Sequence, residues 1–214
     1  MNDSQANGRL PVYWIGGSPC SGKSTVAETI AAKYAFTLYN CDEAYFRHLE
    51  VASPDQFPRL YRAGRATPEE VWLLRSVEQQ VADELTLYRE EFPLIVNDVQ
   101  SLPAAPAVIA EGAALLPASL AKAGTPRDRA VWIVPTEAFQ REQYAKRPWR
   151  HDVVKDCSDP EQAWENWMAR DAAFAKAVVA EATALGLKVM TTDGMRSIDD
   201  TVGLVERHFG LPRG

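Results

Sequence analysis

A chain of 214 residues, 24% charged and 46% hydrophobic, is long enough for one well-buried domain and short for two full cores. Its formal net charge of −6 repels a polyanion at long range, which argues against non-specific nucleic-acid binding and leaves any basic site as a local focus. Three cysteines without C-x-x-C spacing and three histidines without a zinc pattern point away from a disulfide framework or a structural zinc site and toward a reducing cytoplasm.

Residues 1–10 are polar, without the basic and apolar regions of a signal peptide, and read as a disordered leader to one domain spanning 11–214. Val12 to Ile15 is a β-prone run ending in glycines. From Ser24 onward Val26, Ala27, Ile30, Ala31 and Tyr34 recur at helical spacing. Between them lies GGSPCSGKST, in which Gly17, Gly22, Lys23 and Ser24 fit G-x-x-x-x-G-K-S/T. Strand, glycine loop and helix in that order let backbone N–H groups and a helix N-terminus converge on one anion. Gly17, Ser18, Pro19, Cys20, Ser21, Gly22, Lys23, Ser24 and Thr25 are thus the expected nucleotide-phosphate cradle, with Lys23 reaching the β and γ phosphates and the Ser24 hydroxyl on Mg²⁺. The plainer alternative is a glycine-rich turn with an exposed lysine.

A second strand, FTLYNCD, is predicted to end in Asp42. Residues 43–66 show little periodicity but carry Arg47, Arg59, Arg62 and Arg65, and read as a substrate-facing insertion. Thr67, Pro68 and Glu70 announce a capped helix with apolar positions at Val71, Leu74, Val77, Val81, Leu85 and Tyr88. Residues 93–103 suit either a strand or a short helix. AVIAEG and AVWIVP are further strands, and TEAFQREQYAKRPW is a helix running into a basic segment. The apolar stretch at 102–121 is broken by Pro103, Pro106, Glu111 and Pro117, against a membrane helix. Asp159, Pro160 and Gln162 open a long helix that Gly186 stops, with Trp164 and Trp167 on its core face. KVMTT is the last strand, and Ser197 with Asp200 caps a final helix.

In a parallel α/β sheet, ligands collect beyond the carboxyl ends of the strands, where Gly17, Asp42 and Glu111 fall. A carboxylate there can orient an acceptor hydroxyl and take its proton. Asp42 is the first candidate base, against a plain helix-cap role; Glu111 is the second, acting on Mg²⁺ or substrate. No N-K-x-D or T-K-x-D guanine-reading tetrapeptide occurs, which points away from a GTPase.

On these motifs the chain resembles the small-molecule P-loop kinases of the nucleoside-monophosphate-kinase-like group, such as shikimate, gluconate and chloramphenicol kinases. The resemblance implies a three-layer fold, a five-stranded parallel sheet with helices on both faces and a helical lid at about 141–170. It implies ATP and Mg²⁺ as cofactors and a small-molecule hydroxyl acceptor, without nucleic acid or membrane. Asp42 in YNCDE matches the acceptor-contacting aspartate, Arg147 in KRPW the lid arginine, Arg170 in ARDAAFAKAV a phosphate- or substrate-facing arginine, and Asp193 and Gly194 in TTDGMRS the turn beside adenine. Arg47 and Glu111 join Asp42 as expected acceptor contacts. Asn40-Cys41-Asp42 replaces the D-x-D of shikimate kinases, and Glu111-Gly112-Ala113 replaces their glycine triplet, so the acceptor is left open. A nucleoside or nucleotide kinase is the near alternative. A nucleotide-binding regulatory module without efficient phosphotransfer is the alternative from another class.

Overall fold

A computed structural model describes residues 11–102 and 106–212; the predicted leader lies outside them. The chain runs β1 (Val12–Gly17), α1 (Lys23–Tyr34), β2 (Thr37–Asn40), α2 (Cys41–Val51), α3 (Pro58–Ala63), α4 (Pro68–Trp72) and α5 (Val77–Ser101). It continues as β3 (Val108–Glu111), α6 (Pro117–Lys122), β4 (Ala130–Pro135), α7 (Glu137–Ala145), α8 (Arg150–Val154), α9 (Pro160–Ala184), β5 (Lys188–Thr192) and α10 (Ile198–Phe209). The strands form one parallel sheet in the order β2-β3-β1-β4-β5.

Successive strand residues face opposite sides, so a parallel sheet covered on both faces needs apolar residues at nearly every central position. Trp14, Val108, Ala110, Trp132 and Val134 pack with Ile95 and Val99 of α5 and Phe174 and Val178 of α9. Ile15, Ile109, Val131 and Ile133 point the other way, onto Val26 and Ile30 of α1 and Val205 and Phe209 of α10. A third, smaller cluster joins Cys20 of the glycine loop to Tyr144, Val154, Cys157, Trp167 and Met168. Among the described residues no helix is long and apolar enough to cross a membrane.

Three expectations are corrected, and the choice left open between strand and helix is resolved for 93–101. β2 ends at Asn40 rather than Asp42, because the Asn40 side chain accepts from the Glu43 amide at 3.0 Å and caps α2 at once. The stretch 43–66 holds most of α2 and all of α3. The buried face of α2 consists of Cys41, Ala44 and His48, a helical spacing hidden by its small and polar residues. The helix begun by the Thr67–Glu70 capping box stops at Trp72. A second capping box, Ser76 with Gln79, starts α5 on a new axis. The stretch 93–101 is helix, since α5 continues through Pro93; packing against α2 and α9 overrides a local penalty of about 3 kcal/mol.

Candidate functional site

β1 runs into the glycine loop at a place with no room for side chains. A Cβ on Gly17, whose φ is +132°, would stand 1.8 Å from the Ile133 carbonyl oxygen. Cys20 adopts φ +63° and Gly22 φ +81°. Gly22 is the N-cap of α1, with no side-chain cap bond and no acid in the first turn. The buried Ser18 and Ser21 hydroxyls have no hydrogen-bond partner among the described residues. An uncapped helix start, two orphaned hydroxyls and a largely buried lysine fit a polyanion bound by backbone amides.

Sheet register delivers the first carboxylate. Glu111 pairs with Ile15 of β1 and Asn40 of β2, and shares the face of Ile109, which looks onto α1. Its Oε2 accepts from the Ser24 hydroxyl at 3.1 Å and lies 3.9 Å from Lys23 Nζ; its Oε1 accepts from Asn40 Nδ2 at 2.8 Å. The residue is 1% exposed. Burial raises its pKa, with the Lys23 ammonium opposing and the Asp42 carboxylate adding to the rise. Glu111 therefore meets the Ser24 hydroxyl instead of lining the space beside Asp42. An oxygen pair from Ser24 and Glu111 suits a hard divalent cation such as Mg²⁺.

Asp42, in the first turn of α2, is exposed and makes no hydrogen bond or ion pair among the described residues. The cap role belongs to Asn40. Asp42 lies on the shared wall of two cavities. One, about 460 Å³, is lined by Pro19 to Thr25 with Tyr144, Arg147 and Trp167; the other, about 640 Å³, opens between α2, α3, α4 and α5. Trp72, Glu84, Tyr88 and Arg170 belong to both.

Arg147 lines the glycine-loop cavity, its guanidinium 5.1 Å from the Tyr144 ring and 5.3 Å from that of Trp149, without a carboxylate partner among the described residues. Arg170 is placed differently from a mobile lid arginine. It sits in the middle of α9, ion-paired with Glu84 of α5, 2.8 Å from Asp171 Oδ1 and over the Trp72 ring. Tyr88 donates to Glu84 and Tyr144 donates to Asp171, so the charge is framed from three helices. Burial pushes the Asp171 carboxyl up while Arg170 opposes it. The expected lid segment 141–170 thus divides: residues from 160 onward are α9, packed on α5, while α7 packs on α9 and α8 packs on α4 and α9, with Val154 and Cys157 buried among them.

Arg47 does not line either of these cavities. Its side chain, 60% exposed, pairs with Asp98 at 3.1 Å beside Tyr39. Asp42, Tyr45 and Phe46 occupy the cavity face of α2, and the next residue turns about 100° away. Arg59, Arg62 and Arg75 line the larger cavity instead. Asp193 and Gly194 line neither. Their turn packs against α7, where a Cβ on Gly194 would stand 2.6 Å from the Phe139 ring, and Ile198 beyond it reaches the start of α1 beside Gly22. Cys20 is buried, and burial pushes its thiol up to about 11, leaving it protonated at neutral pH. The sequence reading missed Trp72, Glu84 and Tyr88; the four-residue spacing of Glu84 and Tyr88 on α5 was the available signal.

No family model and no curated protein matches the chain. Solved structures do. Shikimate kinase from Bacteroides thetaiotaomicron is similar at TM-score 0.51 and 11% identity, covering 94% of this chain and 99% of that one. TT1252 from Thermus thermophilus gives 0.48 at 17%, covering 96% and 100%. Shikimate kinase from Acinetobacter baumannii in complex with shikimate gives 0.47 at 14%, covering 92% of each chain. The shared property is the fold: this chain has the P-loop architecture of the shikimate-kinase type.

Proposed function

We propose that the protein is an ATP- and Mg²⁺-dependent kinase that transfers the γ-phosphoryl group to a hydroxyl of a small molecule. One observation carries the reading: an unpartnered carboxylate, Asp42, stands on the wall between the glycine-loop cavity and a second, larger cavity. The smaller cavity is the nucleotide-phosphate side and the larger is the acceptor side. The domain is residues 11–214, with α2 and α3 forming the acceptor-side insertion.

The backbone of Gly17 to Thr25 and Lys23 hold the phosphates, and Ser24 with Glu111 holds Mg²⁺. Held there, Mg²⁺ would supply charge neutralisation to the phosphates. Asp42 orients the acceptor hydroxyl and takes its proton as the new O–P bond forms and the bond to the departing ADP breaks. Arg170, rigidly framed, and Arg147, which lines the glycine-loop cavity without a carboxylate partner among the described residues, face the negative charge that spreads over the transferred oxygens. Asp193 and Gly194 form the turn on the base side.

The test is calorimetric titration of the folded protein with Mg-ATP, followed by a mass-spectrometric search for phosphorylated products in a metabolite extract. Micromolar Mg-ATP binding and a new phosphomonoester are expected. Absence of Mg-ATP binding by folded protein refutes the reading.

A further inference from the structure

The wall that α5 presents to the larger cavity has an unusual chemical bias. Gln80, Asp83, Glu84, Leu87, Tyr88 and Glu91 form one stripe along that helix. Three of these side chains carry a buried oxygen with no hydrogen-bond partner among the described residues: Gln80 Oε1, Glu84 Oε2 and Glu91 Oε2. Their other polar atoms are fixed. Gln80 Nε2 donates to the Trp72 and Arg75 carbonyls at 3.3 and 3.0 Å, Glu84 Oε1 accepts from Tyr88 at 2.9 Å, and Glu91 Oε1 lies 2.8 Å from His48 Nδ1. Arg170 Nε and Asp171 Oδ1, also without a formal hydrogen bond, face each other at 2.8 Å and account for one another. What remains unmet on this wall is acceptor capacity, two-thirds of it on carboxylates.

An orphaned buried acceptor costs about 1–3 kcal/mol, more when charged, and a ligand donor removes that cost. Terminal carboxylate and amide torsions are soft, so a small rotation turns such an oxygen toward a bound group. Three of the cavity's four arginines, by contrast, are engaged by carboxylates, and Arg62 is held only through its Nε. Arg59 and Arg75 both bind Asp83, at 3.1 and 3.2 Å, Arg170 binds Glu84, and Arg62 donates to the Pro58 carbonyl. A pocket evolved for an acidic acceptor would keep guanidinium forks clear of carboxylates. Tyr45, Phe46, Trp72 and Tyr88 add flat apolar surface, and about 640 Å³ exceeds the needs of a single small ring.

We infer that the acceptor is an amine-bearing alcohol built on one or more rings, its ammonium groups donating to Glu84, Glu91 and Gln80 while a hydroxyl is presented to Asp42. This inference rests on the kinase reading for the hydroxyl, but the amine preference is a property of the cavity alone.

The experiment compares neamine, a two-ring amino alcohol, with its N-acetylated and N-succinylated forms, which keep the rings and make the nitrogen groups neutral or acidic. Binding is measured by calorimetry on the full chain without nucleotide, and phosphorylation with Mg-ATP by mass spectrometry. Neamine is expected to bind at least tenfold more tightly than either derivative. Glu91→Gln should cut that preference at least fivefold while Mg-ATP affinity stays within twofold. The wild-type ranking decides the question even if that variant fails to fold. Equal or reversed ranking, or no binding by any of the three, overturns the inference and leaves the kinase standing if Mg-ATP still binds. Neamine binding without Mg-ATP binding does the opposite.

Discussion

Replacing Glu111 by Gln keeps the shape of a side chain that is 1% exposed and removes one charge. Its partners define the cost. The amide oxygen can still accept from Asn40, and the Ser24 hydroxyl can turn to accept from the new amide nitrogen. Lys23 loses its counter-charge at 3.9 Å while its own side chain is only 7% exposed. Breaking a buried pair on one side costs about 3–5 kcal/mol when the survivor stays sequestered. Two effects reduce this: the variant escapes the burial that raises the Glu111 pKa, and Lys23 lines the glycine-loop cavity, where its flexible stem can reach water. A net loss of about 2 kcal/mol is expected, or a fall in Tm of about 4–8 °C for a domain of this size. Melting curves with EDTA, with and without saturating ATP, provide the assay. ATP phosphates give Lys23 a new counter-charge, so the gap between variant and wild type should narrow when nucleotide is present. With Mg²⁺, the variant's apparent metal affinity should fall at least tenfold. A Tm within about 1 °C of wild type, or a gap that ATP leaves unchanged, would refute this account of Glu111 and Lys23.

Asp42→Asn removes an exposed carboxylate that makes no hydrogen bond or ion pair among the described residues, so stability should change by no more than about 0.5 kcal/mol. On the kinase reading, kcat falls by about 10²–10⁴ with ATP affinity preserved, measured by steady-state kinetics and calorimetry. Gly17→Ala places a Cβ 1.8 Å from the Ile133 carbonyl, and soluble expression or nucleotide binding should be lost; a variant that binds Mg-ATP like wild type contradicts the close approach. Burial opposes the charge on His48, but the Glu91 and Asp98 carboxylates outweigh it, so its pKa is raised above 6.5. Its ionic contribution is therefore complete below about pH 6.5 and is lost as pH rises through the higher folded value. Urea midpoints should decline over that window in wild type, and His48→Gln should flatten the decline.

The parts of this protein that declare themselves in sequence are those whose signal is local. Gly17, Gly22 and Lys23 announce the loop, and Ser197, Asp159 and Gly186 mark helix ends through side-chain caps and a left-handed turn. The place of Glu111 beside the loop was legible because parallel topology puts strand ends together; Asp42 was expected at the end of β2 and stands instead in the first turn of α2. α2 was hidden because its buried face is Cys41, Ala44 and His48, residues that carry no hydrophobic stripe. The Glu84–Arg170 pair was illegible for another reason: its meaning arises only where α5 crosses α9, 86 positions apart. Arg47 was misplaced by a matter of helical phase, which an irregular segment does not define and a helix does.

The row Asn40, Glu111, Ile15 across three neighbouring strands makes alignment itself a component of the site. Side-chain direction alternates along a strand, so one residue inserted into or deleted from β3 would swing the Glu111 position to the α5 and α9 side of the sheet. Over evolutionary time such a length change is a far harsher event than a substitution, whereas the turn around Gly124, with open space about it, can absorb one freely. Drift in this lineage should therefore be recorded as spelling changes within β1, β2 and β3 and as length changes in the connections between them.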